Sequence, residues 1–131
     1  MPKQMCVFAA RGAGIMPLGF VGTVAEFHDL DRFRETVRRS RRLGFMGASV
    51  IHPSQIAILN EEFGASATEI DHARGVVAAY DEALADGVGA VTVDGKMIDV
   101  PVVERARLLL EREAAIAARE AKMRGLAAHP G

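Results

Sequence analysis

Cysteine is nearly missing from this chain: Cys6 is the only one in 131 residues. One thiol can form no intramolecular disulfide and no multi-cysteine metal site, and it reads as a small buried side chain rather than a reactive one. Aromatics are sparse too, with no tryptophan, one tyrosine and six phenylalanines. Charge of one sign is not in excess: the formal net charge is −1, which gives no electrostatic reason to expect nucleic acid or an anionic membrane as partner. No apolar run approaches the ~20 residues of a membrane span. The opening MPKQM does not read as a signal peptide, so a cytoplasmic address is expected. Also missing are a G-x-S-x-G elbow, a P-loop and an H-E-x-x-H pair.

What remains is the composition of a folded protein, half hydrophobic and one quarter charged, with length for one modest core. Residues 4–13 are short and Ala-rich and suit a helix tail closed by Gly14. The run GFVGTVAEF (19–27) reads as a buried strand. In 28–44, Leu30, Phe33, Val37 and Leu43 fall near helical spacing. Acids crowd the first turns there, arginines crowd the last, and Gly44 marks the stop. GASVIHP (47–53) reads as a second strand, ended by Pro53, which opens a helix over 53–63. Strand, helix, strand, helix in this order predicts parallel α/β pairing.

Beyond residue 63 the pattern changes. Ser66 and Glu69 form a capping box opening a helix to Gly87, with Ile70, Ala73, Val77, Tyr80 and Leu84 as its apolar stripe. AVTVDGKMI (90–98) reads as a ribbon turning at Asp94-Gly95. Pro101 starts a last helix with Val102, Val103, Ala106, Leu109 and Leu110 on its apolar side. Its charged, Ala-rich continuation is expected to reach into solvent or onto a partner and to fray over 125–131. The expected division is therefore 1–63 and 64–131.

Few side chains offer chemistry. The arginines at 32, 34, 38, 39, 41 and 42 have acids beside them and almost no aromatic interleaving, so a solvated helix face is expected rather than a nucleic-acid surface. His28, His72 and His129 show no metal-ligand spacing. His52 sits where a strand ends and a helix begins, the place where α/β folds gather binding groups; the alternative is a simple helix cap. Asp99 also has two readings. It is either an acid at the positive end of the last helix or a carboxylate on a mobile ribbon that can serve as general acid or base.

Three stretches make a larger pattern: GFMGASVIHPSQIAILNEEF, the S-A-T-E-I helix start, and GVGAVTVDGKMIDVPVVERA. With AARGAG and GFVGTVAEFHDLD they resemble the carboxyl-terminal part of the HpcH/HpaI aldolase and citrate lyase β-subunit family, most of all its malyl-CoA and citramalyl-CoA lyase branch. The likeness covers about residues 6–110, and I-H-P-x-Q-I with G-K-M-I-D-x-P is its most specific pair. The resemblance implies a TIM (β/α)8 barrel that makes or breaks carbon–carbon bonds in hydroxyacyl-CoA thioesters with Mg²⁺. Residues 19–27 and 47–52 then resemble strands seven and eight. The ribbon and last helix resemble a lid reaching over a neighbouring subunit's active site.

On that resemblance Asp99 is the catalytic acid of the lid. His52, Pro53, Ser54 and Gln55 form the substrate-binding loop on the CoA side. The metal-binding carboxylates and the substrate arginine of such a barrel fall on earlier strands, so no metal ligand is expected among these residues; Glu26 and Asp29, the acids nearest a strand end, do not match those motifs. A barrel of this class needs ~250 residues, and the chain corresponds to its last two βα units plus the lid. Two functions are therefore expected: a Mg²⁺-dependent acyl-CoA lyase that is incomplete as this chain alone, or a non-enzymatic module for oligomerisation or partner binding. Either way the expected associations are an acyl-CoA, a second copy or a complementing chain, and neither nucleic acid nor membrane.

Overall fold

The computed structural model describes residues 2–25 and 27–128. The sequence readings that involve Glu26 and His129 lie outside the described residues. The chain divides into two compact units, residues 1–64 and 65–131.

The first unit has three helices: α1 (Pro2–Gly12), α2 (Leu30–Arg42) and α3 (Ser54–Phe63). Helix α1 ends as its glycine predicts, with Gly14 at φ +68°. It buries only Val7, while Cys6 beside it is exposed. The expectation of a buried thiol is thus corrected: Val7 takes the inward place and Cys6, about 100° around the helix, faces out. Helix α2 opens at Asp29, whose Oδ1 accepts from the Arg32 N–H at 3.0 Å. Phe33, Val37 and Ser40 face inward, and the core they form with Val7, Phe45, Ile58 and Phe63 is contributed by all three helices and the loop after α2. Burying each of the larger apolar side chains contributes about 1.5–3 kcal/mol.

The two expected strands are corrected. Of the described residues in 19–27 and 47–52, none forms a strand. What survives is one parallel bridge between Leu18 and Gly47, with the Gly19 N–H donating to the Gly47 carbonyl and the Met46 N–H to the Pro17 carbonyl, both at 2.9 Å. The two segments are side by side in the parallel sense, yet a parallel pair without further strands is weakly held. Close approach also matters here: a Cβ on Gly19 would collide with the Phe45 ring, so this position takes no side chain. Side chains do the remaining work. The Ser40 hydroxyl, fully buried, accepts from the Val21 N–H at 3.1 Å and donates to the Thr36 carbonyl at 2.8 Å.

The arginine-rich face of α2 is a solvated ion-pair face, as its interspersed acids predict. Arg34 reaches Glu61 and Glu62 of α3 at 2.7 and 2.6 Å, Arg38 reaches Glu62 at 2.9 Å, and Arg42 reaches Glu35 at 2.9 Å. Hydrogen bonds from Arg38 and then Arg34 hold the Glu62 carboxyl below its ordinary range.

The second unit comprises α4 (Ala67–Ala85), β1 (Val91–Val93), β2 (Lys96–Ile98) and α5 (Val100–Ala127). Ser66 caps α4 as read, accepting from the Glu69 N–H at 3.1 Å. Strands β1 and β2 pair antiparallel with Val93 opposite Lys96. Asp94 and Gly95 turn between them at φ 51° and 74°, the left-handed pair that such tight hairpins require. Ala73, Val76, Ile98, Val103 and Ala106 make the core. The stripe expected on α4 is partly corrected: Val76 is buried and Leu84 is exposed, because the core contacts of α4 run from Ala73 to Tyr80 and stop short of its last turn. Helix α5 runs to Ala127 and is exposed from residue 117 to 128.

Candidate functional site

Two local arrangements hold the side chains singled out by sequence, one in each unit. In the first unit the chain leaves the Leu18–Gly47 bridge, passes Ile51 and enters α3 through His52 and Pro53. Gln55 organises this turn. It is fully buried, its Oε1 accepts from the backbone N–H groups of Ile51 and His52 at 3.2 Å each, and its Nε2 donates to the Val24 carbonyl at 3.0 Å. One side-chain amide thereby ties the two strand-like segments together. Hydrogen bonds of this kind, to otherwise unsatisfied backbone, explain why a glutamine is tolerated in a core.

The His52 side chain is exposed and yet held. Its ring stacks on Phe27, centroids 4.7 Å apart and planes 8° apart. Its Nδ1 lies 2.7 Å from the Ser54 Oγ and accepts from the Ser54 N–H at 3.2 Å. The capping reading of His52 is thus realised, because one of the free N–H groups at the start of α3 is satisfied by the imidazole. Capping does not use the rest of the ring. Pro53 is exposed beside it, with φ −57° and ψ −31°.

In the second unit Asp99 is the cap of α5. Its Oδ1 accepts from the Val102 N–H at 3.2 Å, and Pro101 follows within the first turn, where its missing N–H is harmless. The carboxylate is exposed, and its second oxygen has no hydrogen bond among the described residues. The structural reading of Asp99 is therefore satisfied by one oxygen, leaving the other available. His72 of α4 approaches the hairpin turn, its Nδ1 3.4 Å from the Asp94 Oδ2.

Among the described residues no group of three or more His, Cys, Asp or Glu side chains could hold a metal ion. The described residues therefore do not make up a Mg²⁺ site. No helix among the described residues is long and apolar enough to cross a membrane. Sequence reasoning found Asp99 and the 52–55 turn but missed Phe27 as the stacking partner of His52 and the Val24 carbonyl as the partner of Gln55.

Two segments side by side in the parallel sense, joined by a helix, are the kind of arrangement that α/β folds are built from. The comparisons make this specific. The chain is 40% identical over 104 residues to the citrate lyase β subunit of Escherichia coli, covering 79% of this chain and 34% of that one. It is 38% identical over 112 residues to the L-malyl-CoA/β-methylmalyl-CoA lyase of Cereibacter sphaeroides, covering 86% and 35%. A (3S)-malyl-CoA thioesterase of the same species is 38% identical over 114 residues. The fold matches CitE of Mycobacterium tuberculosis, solved with magnesium, acetoacetate and coenzyme A, with a TM-score of 0.68 and 29% identity over 84% of this chain and 39% of that one. A citrate lyase from Burkholderia xenovorans matches in fold, with a TM-score of 0.71. No family model matches.

The chain is a relative of the citrate lyase β subunits and malyl-CoA lyases. It spans about a third of the length of the curated relatives it matches.

Proposed function

We propose that this chain is the closing part of a Mg²⁺-dependent carbon–carbon lyase acting on hydroxyacyl-CoA thioesters of the malyl-CoA or citramalyl-CoA class. The observation that carries the reading is the 38–40% identity to CoA-ester and citrate lyases across 79–86% of the chain. On this reading residues 1–63 are the last two βα units of a TIM barrel, and residues 64–131 are its carboxyl-terminal helix, ribbon and lid. The barrel's metal ligands and substrate arginine come from outside this sequence, on a complementing segment that supplies the rest of the site. The enzyme is cytoplasmic.

The residue roles follow the same reading. Asp99 acts from the lid as a general acid or base, its capped oxygen fixing the carboxylate and its free oxygen handling the proton. His52, Pro53 and Ser54 line the CoA side, and Gln55 holds that turn in place through its buried amide. A second reading, an association module without chemistry of its own, is supported by the apolar side chains the first unit leaves exposed, among them Leu18 and Ile51 at 65% and 64%. Such patches mark surfaces that pair with another chain.

Cleavage of malyl-CoA and citramalyl-CoA with Mg²⁺, by the chain alone and with a polypeptide bearing the strand-end arginine and acids, separates the two. Turnover on complementation supports the lyase. Association without turnover of either thioester supports the module.

A further inference from the structure

The arginines of α2 divide by face. Arg34 pairs with Glu61 and Glu62, Arg38 with Glu62, and Arg42 with Glu35. Arg32 and Arg39 lie on another side of the helix, with Thr36 between them at helical spacing. Together with Thr23 and Asp29 they line a cleft of about 160 Å³ between α2 and the segment 21–23. The Arg39 side chain makes no hydrogen bond or ion pair among the described residues. We infer that this cleft binds the phosphate monoester of a short polyol, its charged end at Arg39 and its hydroxyl end at Asp29.

The walls select a small ligand with two different ends. The volume lies below the ~300–1,000 Å³ of sites for drug-sized molecules. Segment 20–25 is held in place before any ligand arrives. Lys3 Nζ donates to the Phe20 carbonyl at 2.7 Å, the Val21 N–H to the buried Ser40 hydroxyl at 3.1 Å, and the Ala25 N–H to the Thr23 hydroxyl at 3.1 Å. Gly22 brings this wall against the helix, since a Cβ there would meet the Thr36 methyl at 2.8 Å. The Thr23 hydroxyl, accepting from Ala25, keeps its own proton to donate. With the Arg39 guanidinium fork it offers more donors than two carboxylate oxygens need, and phosphate has three.

Asp29 sets the other end. Its Oδ1 accepts from the Arg32 N–H at 3.0 Å and closes the helix start, so the anion is not held by the helix terminus. Its second oxygen has no hydrogen bond among the described residues, and a carboxylate oxygen can only accept. Ten residues, about 15 Å of helix, separate Asp29 from Arg39. One tetrahedral ion cannot meet both groups, whereas a molecule with a hydroxyl a few bonds from its phosphate does. An anion placed at the Asp29 end would face a like charge, which fixes the orientation.

Amide-shift titrations of the full chain with glycerol phosphate, inorganic phosphate, glycerate and glycerol test this. Saturable shifts in the segments 21–23 and 36–39 are expected. Glycerol phosphate should bind tightest, inorganic phosphate about tenfold more weakly for want of the hydroxyl, and glycerol not at all. Arg39→Gln is expected to weaken both phosphates at least about tenfold, the worth of a charged hydrogen bond. Arg42→Gln, on the paired face, should leave them unchanged. Asp29→Ser keeps a helix cap but withdraws the second carboxylate oxygen, and should bring glycerol phosphate down to the affinity of inorganic phosphate.

No saturable shift with glycerol phosphate, or equal loss in the Arg39 and Arg42 variants, overturns the site. Glycerate binding as tightly as glycerol phosphate overturns the phosphate end. Equal affinity of inorganic phosphate and glycerol phosphate for the unaltered chain overturns the Asp29 end. Each of these outcomes leaves the lyase reading intact.

Discussion

The two units of this chain reach order by different means. The second is built from neighbours in sequence: a capped helix, a two-residue hairpin and a second capped helix, whose core of Ala73, Val76, Ile98, Val103 and Ala106 is small and local. The first draws its core from α1, α2, the Phe45 loop and α3. Where its strands should pair it has one bridge and a set of side-chain hydrogen bonds from Ser40 and Gln55. Local hydrogen bonding is complete within a helix or a hairpin, whereas a parallel ladder is completed by the next strand along. The first unit substitutes buried polar side chains for that strand.

If this contrast is right, the largest effect should come from the first unit's core. Phe33, 3% exposed, should cost about 3–5 kcal/mol on replacement by alanine. Hydrogen exchange should then show lost protection in α2 and α3 while the amides of α4 and α5 keep theirs; loss in both units together would mean the cores are not separate.

Next in size is Gln55→Ala, which strips partners from the Ile51 and His52 N–H groups and the Val24 carbonyl. About 1–3 kcal/mol is expected for each group left without a partner and without water, with faster exchange at 51 and 52 as the local signature.

Smaller still is the cap of α5. Asp99→Ala should destabilise the second unit by about 0.5–2 kcal/mol, whereas Asp99→Asn, a comparable cap, should be nearly silent in thermal melts. That pair of variants separates the cap from the charge.

The smallest effect is electrostatic. The Glu62 carboxyl is held below its ordinary value near 4.5 by Arg38 and Arg34. Its contribution is therefore complete above that value and is lost as the pH falls through the lower folded one. Urea midpoints of the first unit should drop as the pH falls below the ordinary carboxylate value, and Glu62→Gln should flatten that slope.

The sequence was most legible where structure is local. Ser66 with Glu69, Gly14, the Asp94-Gly95 turn and Asp99 each announce a boundary through chemistry acting over a few residues, and each stands where it was read. The strands over 19–27 and 47–52 were not legible as such. Their apolar runs are real, but a strand depends on partners that apolarity does not reveal. Cys6 was misread for a related reason, since only the packing of α1 decides that Val7 takes the inward place. At the candidate site Asp99 could be found from its doorway position. Gln55 could be named but its work could not, because its partner Val24 lies 31 residues back.

The most direct test of the lyase reading is Mg²⁺-dependent cleavage of malyl-CoA by this chain complemented with the remaining barrel segments, comparing the unaltered sequence with Asp99→Asn. The account predicts turnover in the first and at least a hundredfold less in the second, with unchanged melting. Full turnover by Asp99→Asn, or none by the complemented unaltered chain on malyl-CoA or citramalyl-CoA, would contradict it.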